Sequence, residues 1–153
     1  MDIRFMELAL KEARKAEKID EVPVGAVIVK GDKVVSKAHN LTERKKDATR
    51  HAEIIVIEKA SKKLKSWRLN GCEIYVTVEP CAMCAGAIAN ARIDKVYFGA
   101  KEEKSGCAVS KFPVLTDSGL NHSAEFTGGI MEEECADLMK NYFKSKRIKK
   151  SLD

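Results

Sequence analysis

Apolar positions along the chain alternate between a helical spacing of three and four and short, nearly continuous runs. Ile3, Met6, Ala9, Leu10, Ala13 and Ala16 recur at helical spacing, and Asp2 is a natural N-cap, so residues 2–18 are predicted helical. Val22 to Val29 is a short run rich in β-branched residues, Gly31-Asp32 supplies a turn, and Lys33 to His39 returns as a partner strand. Pro23 is expected at the start of its strand, where no ladder donor is lost. Leu41 to Thr49 is polar and basic and reads as a surface loop. From His51 to about Lys65 the pattern is helical, with Ile54, Ile57, Ala60 and Leu64 on one face. Ile55 and Val56 widen the apolar surface beyond one stripe, as in helices packed between layers or against a partner subunit.

Glu73 to Val78 reads as a strand, Cys81 to about Arg92 as a helix of small residues, and Lys95 to Gly99 as another strand. Residues 101–121 form a longer connection containing Gly106, Pro113 and Gly119, a length that suggests a functional loop. Ser123 to Thr127 is a last short strand. The final helix, about 131–147, turns Met131, Cys135, Leu138, Met139 and Tyr142 inward. Its acidic residues Glu132, Glu133 and Glu134 open it, and Lys144, Lys146 and Arg147 close it, which complements the helix dipole. Strands alternating with helices in this way predict an α/β layer fold with parallel strand pairs.

The 153 residues suit one domain, 1–153, able to bury a sizeable core without staples. Five cysteines, an odd number with no secretory signal ahead of them, point to free thiols and metal ligands in a reducing compartment. No apolar run approaches membrane-spanning length, so no membrane partner is expected. The net charge of +5 permits an anionic partner without demanding one.

The chemistry concentrates in Pro80-Cys81-Ala82-Met83-Cys84 and His51-Ala52-Glu53. Cysteines at i and i+3 share one face of a helical turn, and His51 would supply a third ligand. Three protein ligands leave one position of a tetrahedral zinc open, which separates a catalytic site from a structural one. Glu53 is then the natural proton carrier for the water filling that position. Residues i and i+2 of a regular helix point about 200° apart, so His51 and Glu53 can face one metal only if His51 sits at or before the first turn. Pro80 suits a second helix start. With both ligand groups at helix N-termini, the thiolate forms are favoured. The assembly fits hydrolytic deamination, and the H-x-E…P-C-x-x-C pattern is that of the zinc deaminases.

Blander readings stand beside this one. A C-x-x-C pair alone could be a structural zinc half-site or a redox pair, although no fourth Cys or His sits at ligand spacing. Cys72 and Cys135 read as core residues, Cys107 stays undecided, and His39 most simply ends a strand with a local hydrogen bond. His122, beside Asn121, is balanced between loop structure and substrate contact. The basic C-terminal run reads by base rate as a solvated helix end.

Several longer blocks carry a resemblance: Glu21-Val-Pro-Val-Gly-Ala-Val, His39-Asn40, Asp47-Ala-Thr-Arg-His-Ala-Glu-Ile54, Gly71-Cys72, Tyr75-Val-Thr-Val-Glu-Pro-Cys-Ala-Met-Cys-Ala-Gly86, Phe98-Gly-Ala100, Asn121-His122 and Tyr142-Phe-Lys-Ser-Lys-Arg147. Through them the chain resembles the bacterial tRNA-specific adenosine deaminases of the cytidine deaminase superfamily over nearly its full length. The resemblance implies a three-layer α/β/α fold around a central mixed five-stranded sheet. It also implies a cytoplasmic homodimer with one zinc per subunit, active sites near the interface, and the tRNA anticodon arm as partner. The reaction implied is conversion of the wobble adenosine to inosine. Roles carried over place zinc on His51, Cys81 and Cys84 and the proton shuttle on Glu53. Asn40 and the Ala52 backbone would hold the flipped base, Asn121 and His122 would touch neighbouring nucleotides, and the last helix would lie along the RNA. Arg50, where bacterial relatives usually have a small residue, and Cys107-Ala-Val-Ser-Lys111 depart from the pattern. Two other functions stay open on the residues alone: a deaminase of free bases or nucleotides, which would share every metal residue, and a non-catalytic zinc-bearing RNA-binding subunit.

Overall fold

The computed structural model describes residues 1–106, 110 and 122–152. Helix α1 (Ile3–Lys18) starts where Asp2 accepts a hydrogen bond from the Arg4 amide, the cap expected from the sequence. Strands β1 (Gly25–Lys30) and β2 (Lys33–His39) pair antiparallel across a two-residue loop in which Gly31 has φ +61°, as a tight hairpin requires. The short helix α2 (Thr42–Lys45) precedes α3 (Ala52–Leu64), β3 (Cys72–Val78), α4 (Ala82–Asn90), β4 (Lys95–Ala100), β5 (Glu125–Thr127) and α5 (Glu132–Leu152). The sheet order is β2-β1-β3-β4-β5, with β1 antiparallel to β2 and β3, and β3, β4 and β5 mutually parallel. This is the mixed five-stranded sheet of the expected α/β fold.

Strand alternation builds two cores. Ala26, Ile28, Ile74, Val76, Val96 and Phe98 face one side, where they pack with Val56, Ala60, Ala85 and Ile88 of α3 and α4. Their neighbours Val27, Val29, Tyr75 and Tyr97 face the other side and pack with Phe5, Met6, Ala9 and Leu10 of α1 and Cys135 of α5. A strand buried on both faces needs apolar residues at nearly every position, so these strands read as continuous runs and not as alternations. Alpha1 lies close enough on the sheet that a Cβ at Gly25 would collide with the Ala9 carbonyl.

Three details differ from the sequence reading, each for a local reason. Beta1 begins at Gly25, so Val22-Pro23-Val24 precede it, and Val24 spends its carbonyl on the Asn40 amide. The predicted loop 41–49 contains α2, because the buried Glu21 carboxylate accepts the free amides of Glu43 and Arg44, at 3.2 and 2.7 Å, and so caps it from outside. The last helix runs five residues past 147, since nothing in its lysine-rich end breaks it. Of the five residues expected on its inner side, Cys135 and Tyr142 are buried, while Met131, Leu138 and Met139 are half-buried.

Candidate active site

Two helices aim their N-termini at one point. His51 is the N-cap of α3 (φ −73°, ψ 153°) and Cys81 the N-cap of α4 (φ −75°, ψ 176°). Ser, Thr, Asp or Asn usually occupy this position and bond the orphan amides, but neither His51 nor Cys81 makes a side-chain cap bond. Their side chains turn toward each other. His51 Nδ1 lies 3.7 Å from Cys81 Sγ and 3.6 Å from Cys84 Sγ, and all three ligand atoms lie within 4.8 Å of one another. Around a tetrahedral zinc with ordinary Zn–S and Zn–N bonds, such nitrogen and sulfur atoms would be about 3.6 Å apart, so the donor set fits the ion in type and spacing. The extended N-cap conformation of His51 lets Glu53 share its cavity despite the i, i+2 spacing. Pro80 stands one residue before the N-cap, slightly ahead of the predicted place at the helix start.

Electrostatics set the four groups apart. Glu53 is 4% exposed, and burial first, then the neighbouring Cys81, push its carboxyl up to about 7. Cys81 is pushed down to about 4, chiefly by a hydrogen bond from Cys84, with His51 beside it adding to the effect. The Cys84 thiol is driven up by that same bond and by burial. The His51 imidazole is raised by its bond to Cys81 against the opposing effect of burial. The free site therefore holds its first negative charge on Cys81, and a divalent cation among these ligands would ionise the second thiol as well.

The cavity at this point is about 350 Å³ and is lined by His51, Ala52, Glu53 and Cys81 together with Val22, Val24, Asn40, Glu79, Met139 and Phe143. Asn40 is buried, and its Oδ1 accepts from the Thr42 hydroxyl at 2.9 Å, leaving its amide NH2 to meet a ligand. Glu79, also buried, accepts from the Glu102 amide at 3.1 Å and from the Ser110 amide at 2.8 Å, which ties the segment after β4 to the Cys81 turn. Arg50 holds the approach to His51, with Nη1 2.9 Å from Glu58, Nε 3.6 Å from Asp47, and its carbonyl accepting from the Leu41 amide.

Asn40, Ala52, His51, Glu53, Cys81 and Cys84 thus come together. His122 is held elsewhere, its Nε2 2.8 Å from the carbonyl of Ile93, which lies at the opposite end of β4 from Ala100. Asn121 lies outside the described residues, as do Cys107 and the rest of 107–109, Lys111 of the same departing segment, and the remainder of the 101–121 connection from 111 on. Sequence reasoning missed the apolar wall. Val22 and Val24 looked like strand, and Met139 like core. Phe143 was visible only as part of the aromatic-basic tail. Cys72 and Cys135 are buried free thiols, as the plainer reading had it, whereas His39 ends β2 as expected but bonds Glu12 of α1 through Nδ1 at 3.2 Å in place of a local partner. No helix among the described residues is long and apolar enough to cross a membrane.

The chain matches the MafB19-like deaminase family over residues 2–147. It is 45% identical over 149 residues to the tRNA-specific adenosine deaminase of Bacillus subtilis (strain 168), covering 97% of this chain and 92% of that protein. With the tRNA-specific adenosine deaminase of Aquifex aeolicus (strain VF5) it shares 45% identity over 143 residues, 94% of each chain. A solved structure from work on A-to-I editing by tRNA:A34 deaminases at the wobble position of transfer RNA superposes with a TM-score of 0.87 at 43% identity, covering 90% of this chain and 99% of that one. The guanine deaminase of Nitrosomonas europaea shares the fold alone, at 20% identity and a TM-score of 0.80 over 93% of this chain and 84% of that one.

Proposed function

The chain belongs to the MafB19-like deaminase family, and on that footing we propose that it is a tRNA-specific adenosine deaminase, converting the wobble adenosine of the anticodon to inosine. What carries the reading is Glu53: a buried carboxyl lines the same cavity as His51 and Cys81, beside the His51, Cys81 and Cys84 ligand set. A binding module has no use for such a proton carrier. The near full-length likeness to tRNA deaminases then favours RNA over a free base, which the metal residues alone do not distinguish.

His51, Cys81 and Cys84 hold zinc, one ion per subunit. When bound, the ion supplies a Lewis acid that makes water a nucleophile near neutral pH. Asn40 donates its amide NH2 to the flipped base, and the Ala52 backbone helps to hold it. Val22, Val24 and Phe143 exclude water from the ring faces. Glu53 takes a proton from the attacking water, delivers it to the ring nitrogen beside the amino-bearing carbon, and carries a second proton to the departing ammonia. The anticodon loop presents its bases unpaired, so flipping one into so small a cavity costs little. Neighbouring nucleotides fall to Asn121 and to His122, which with Nε2 on the Ile93 carbonyl offers its other ring nitrogen, and the basic end of α5 runs along the phosphates. We place the activity in one domain, 1–153, working as a cytoplasmic homodimer.

Incubation of the zinc-loaded protein with an adenosine-bearing anticodon stem-loop, and separately with free guanine and cytidine, tests the reading. Inosine in the RNA alone is the expected result. Product from a free base would move the assignment to a base deaminase, and RNA retention without product would move it to a binding subunit.

A further inference from the structure

Beyond Tyr142, α5 leaves the body of the protein. Phe143 to Leu152 contains no buried residue, and it carries Lys144, Lys146, Arg147, Lys149 and Lys150 with no acidic side chain. Among the described residues, hydrogen bonds from Tyr142 and Lys146 tie this cationic segment to the end of α1. Asp20 adopts a left-handed conformation (φ +59°) there and turns both its carbonyl and its carboxylate toward α5. Tyr142 Oη donates to Asp20 O and Oδ1, each at 3.3 Å. One helical turn later, Lys146 Nζ lies 2.7 Å from Asp20 Oδ2 and 5.8 Å from the centre of the Tyr142 ring.

The next residue along from Tyr142 belongs to the pocket. Phe143 lines the cavity, and its ring stands edge-on to that of Tyr142 at 5.3 Å and 76°. Met139, one turn earlier, lines it as well. An exposed ion pair is worth little by itself, so the anchoring falls mainly to Tyr142, whose ring is buried. Lys146 is spent on Asp20, which leaves Lys144, Arg147, Lys149 and Lys150 for an outside anion.

From this arrangement we infer that Asp20, Tyr142 and Lys146 form a clasp that sets substrate preference without touching substrate. It holds Phe143 at the pocket mouth and the basic segment beyond it at one angle, so that a base in the cavity and the phosphates that follow it are engaged together. A free nucleoside gains nothing from the second engagement, whereas an RNA chain does. The inference rests on the tRNA reading for the identity of the polyanion, and on the contacts above for the clasp.

The test uses Tyr142→Phe, which keeps the buried ring, Asp20→Asn, which keeps an acceptor but removes the charge, and the double variant. KM and kcat are measured on an anticodon stem-loop over a range of salt, and amide hydrogen exchange across Phe143–Leu152 is measured in the free protein. Each single variant is expected to raise KM roughly threefold to tenfold, the worth of one hydrogen bond, with kcat within about twofold. The double variant is expected to lose less than the sum of the two, because the contacts are shared. A loosened segment engages fewer phosphates, so KM should depend less steeply on salt. Exchange in the segment should quicken. Unchanged exchange overturns the clasp. So does an unchanged KM, or a fall in kcat that tracks a lower melting temperature. Absence of inosine with the unaltered protein would instead overturn the tRNA reading, while the exchange result would still decide the clasp.

Discussion

Glu53 shows how far a single residue's environment determines its chemistry. An exposed glutamate is ionised at neutral pH and makes a poor acid, but burial and a neighbouring thiolate push this one to about 7. Glu53→Gln keeps size and hydrogen-bonding capacity and removes the titrating proton. The variant is expected to retain its metal by elemental analysis while inosine formation falls by roughly 10²- to 10⁴-fold, the usual worth of a general acid–base group. Loss of metal together with activity would make Glu53 part of the ligand set. These roles were legible in the sequence because spacing alone brings Cys81 and Cys84 together and puts a carboxylate two residues from His51. Phe143 and Glu79 were not legible, since each meets the pocket through folding between distant segments. His122 was half legible: its place beside Asn121 gave no sign that its Nε2 would reach the Ile93 carbonyl, which is brought near by folding.

Elements were easiest to read where one residue type forces the backbone. The Asp2 cap and the Gly31 turn are local, and both are found where the pattern put them. Helix α2 was invisible because its cap, Glu21, lies more than twenty residues upstream. A similar long-range tie joins α1 to the end of β2, next to Asn40. Glu12 is buried, 3.2 Å from His39 Nδ1 and paired with Lys15 at 2.5 Å. Burial pushes the Glu12 carboxyl up, but the bonds from Lys15 and His39 outweigh it and leave it below its ordinary value of 4.5. A carboxyl lowered in the folded state contributes stability above its ordinary value and loses it as pH falls through the folded one. Urea midpoints measured from pH 6 downward should therefore drop below about pH 4.5, and Glu12→Gln should flatten that acid limb. If the variant and the unaltered protein fell in parallel, the tie would be carrying no charge-dependent stability.

On the scale of the whole molecule, the sheet is covered by α1 and α5 on one face and by α3 and α4 on the other, but the outer layers differ in kind. Alpha1 turns lysines, arginine and glutamates to solvent. Alpha4, Ala82–Asn90, has no charged residue at all, and its outward positions are Ala82, Met83, Gly86, Ala87 and Asn90. Met83 is 37% exposed, and Ile54 and Ile57 of the adjoining α3 are half-buried. Small residues around one methionine let another backbone approach closely, and a solvated helix would be expected to carry charges instead. On α3 the added apolar side, Ile55 and Val56, is buried in the core, while Ile54 and Ile57 stay half-buried beside the uncharged face of α4. That face adjoins the N-terminus of α4, where Cys81 sits, so a second copy docked there would stand next to the active site. The unaltered protein is accordingly expected to run at twice its 17.0 kDa chain mass in light scattering. Met83→Glu, which buries an unpaired charge in such a contact, should shift it to the single-chain mass at micromolar concentration. Because Met83 neighbours the ligands, the zinc content of the variant must be shown to be intact; with the ion retained, lower activity would then reflect the missing neighbour. A protein already monomeric without the substitution would leave the apolar face of α4 unexplained by self-association, and the two-chain reading would be withdrawn.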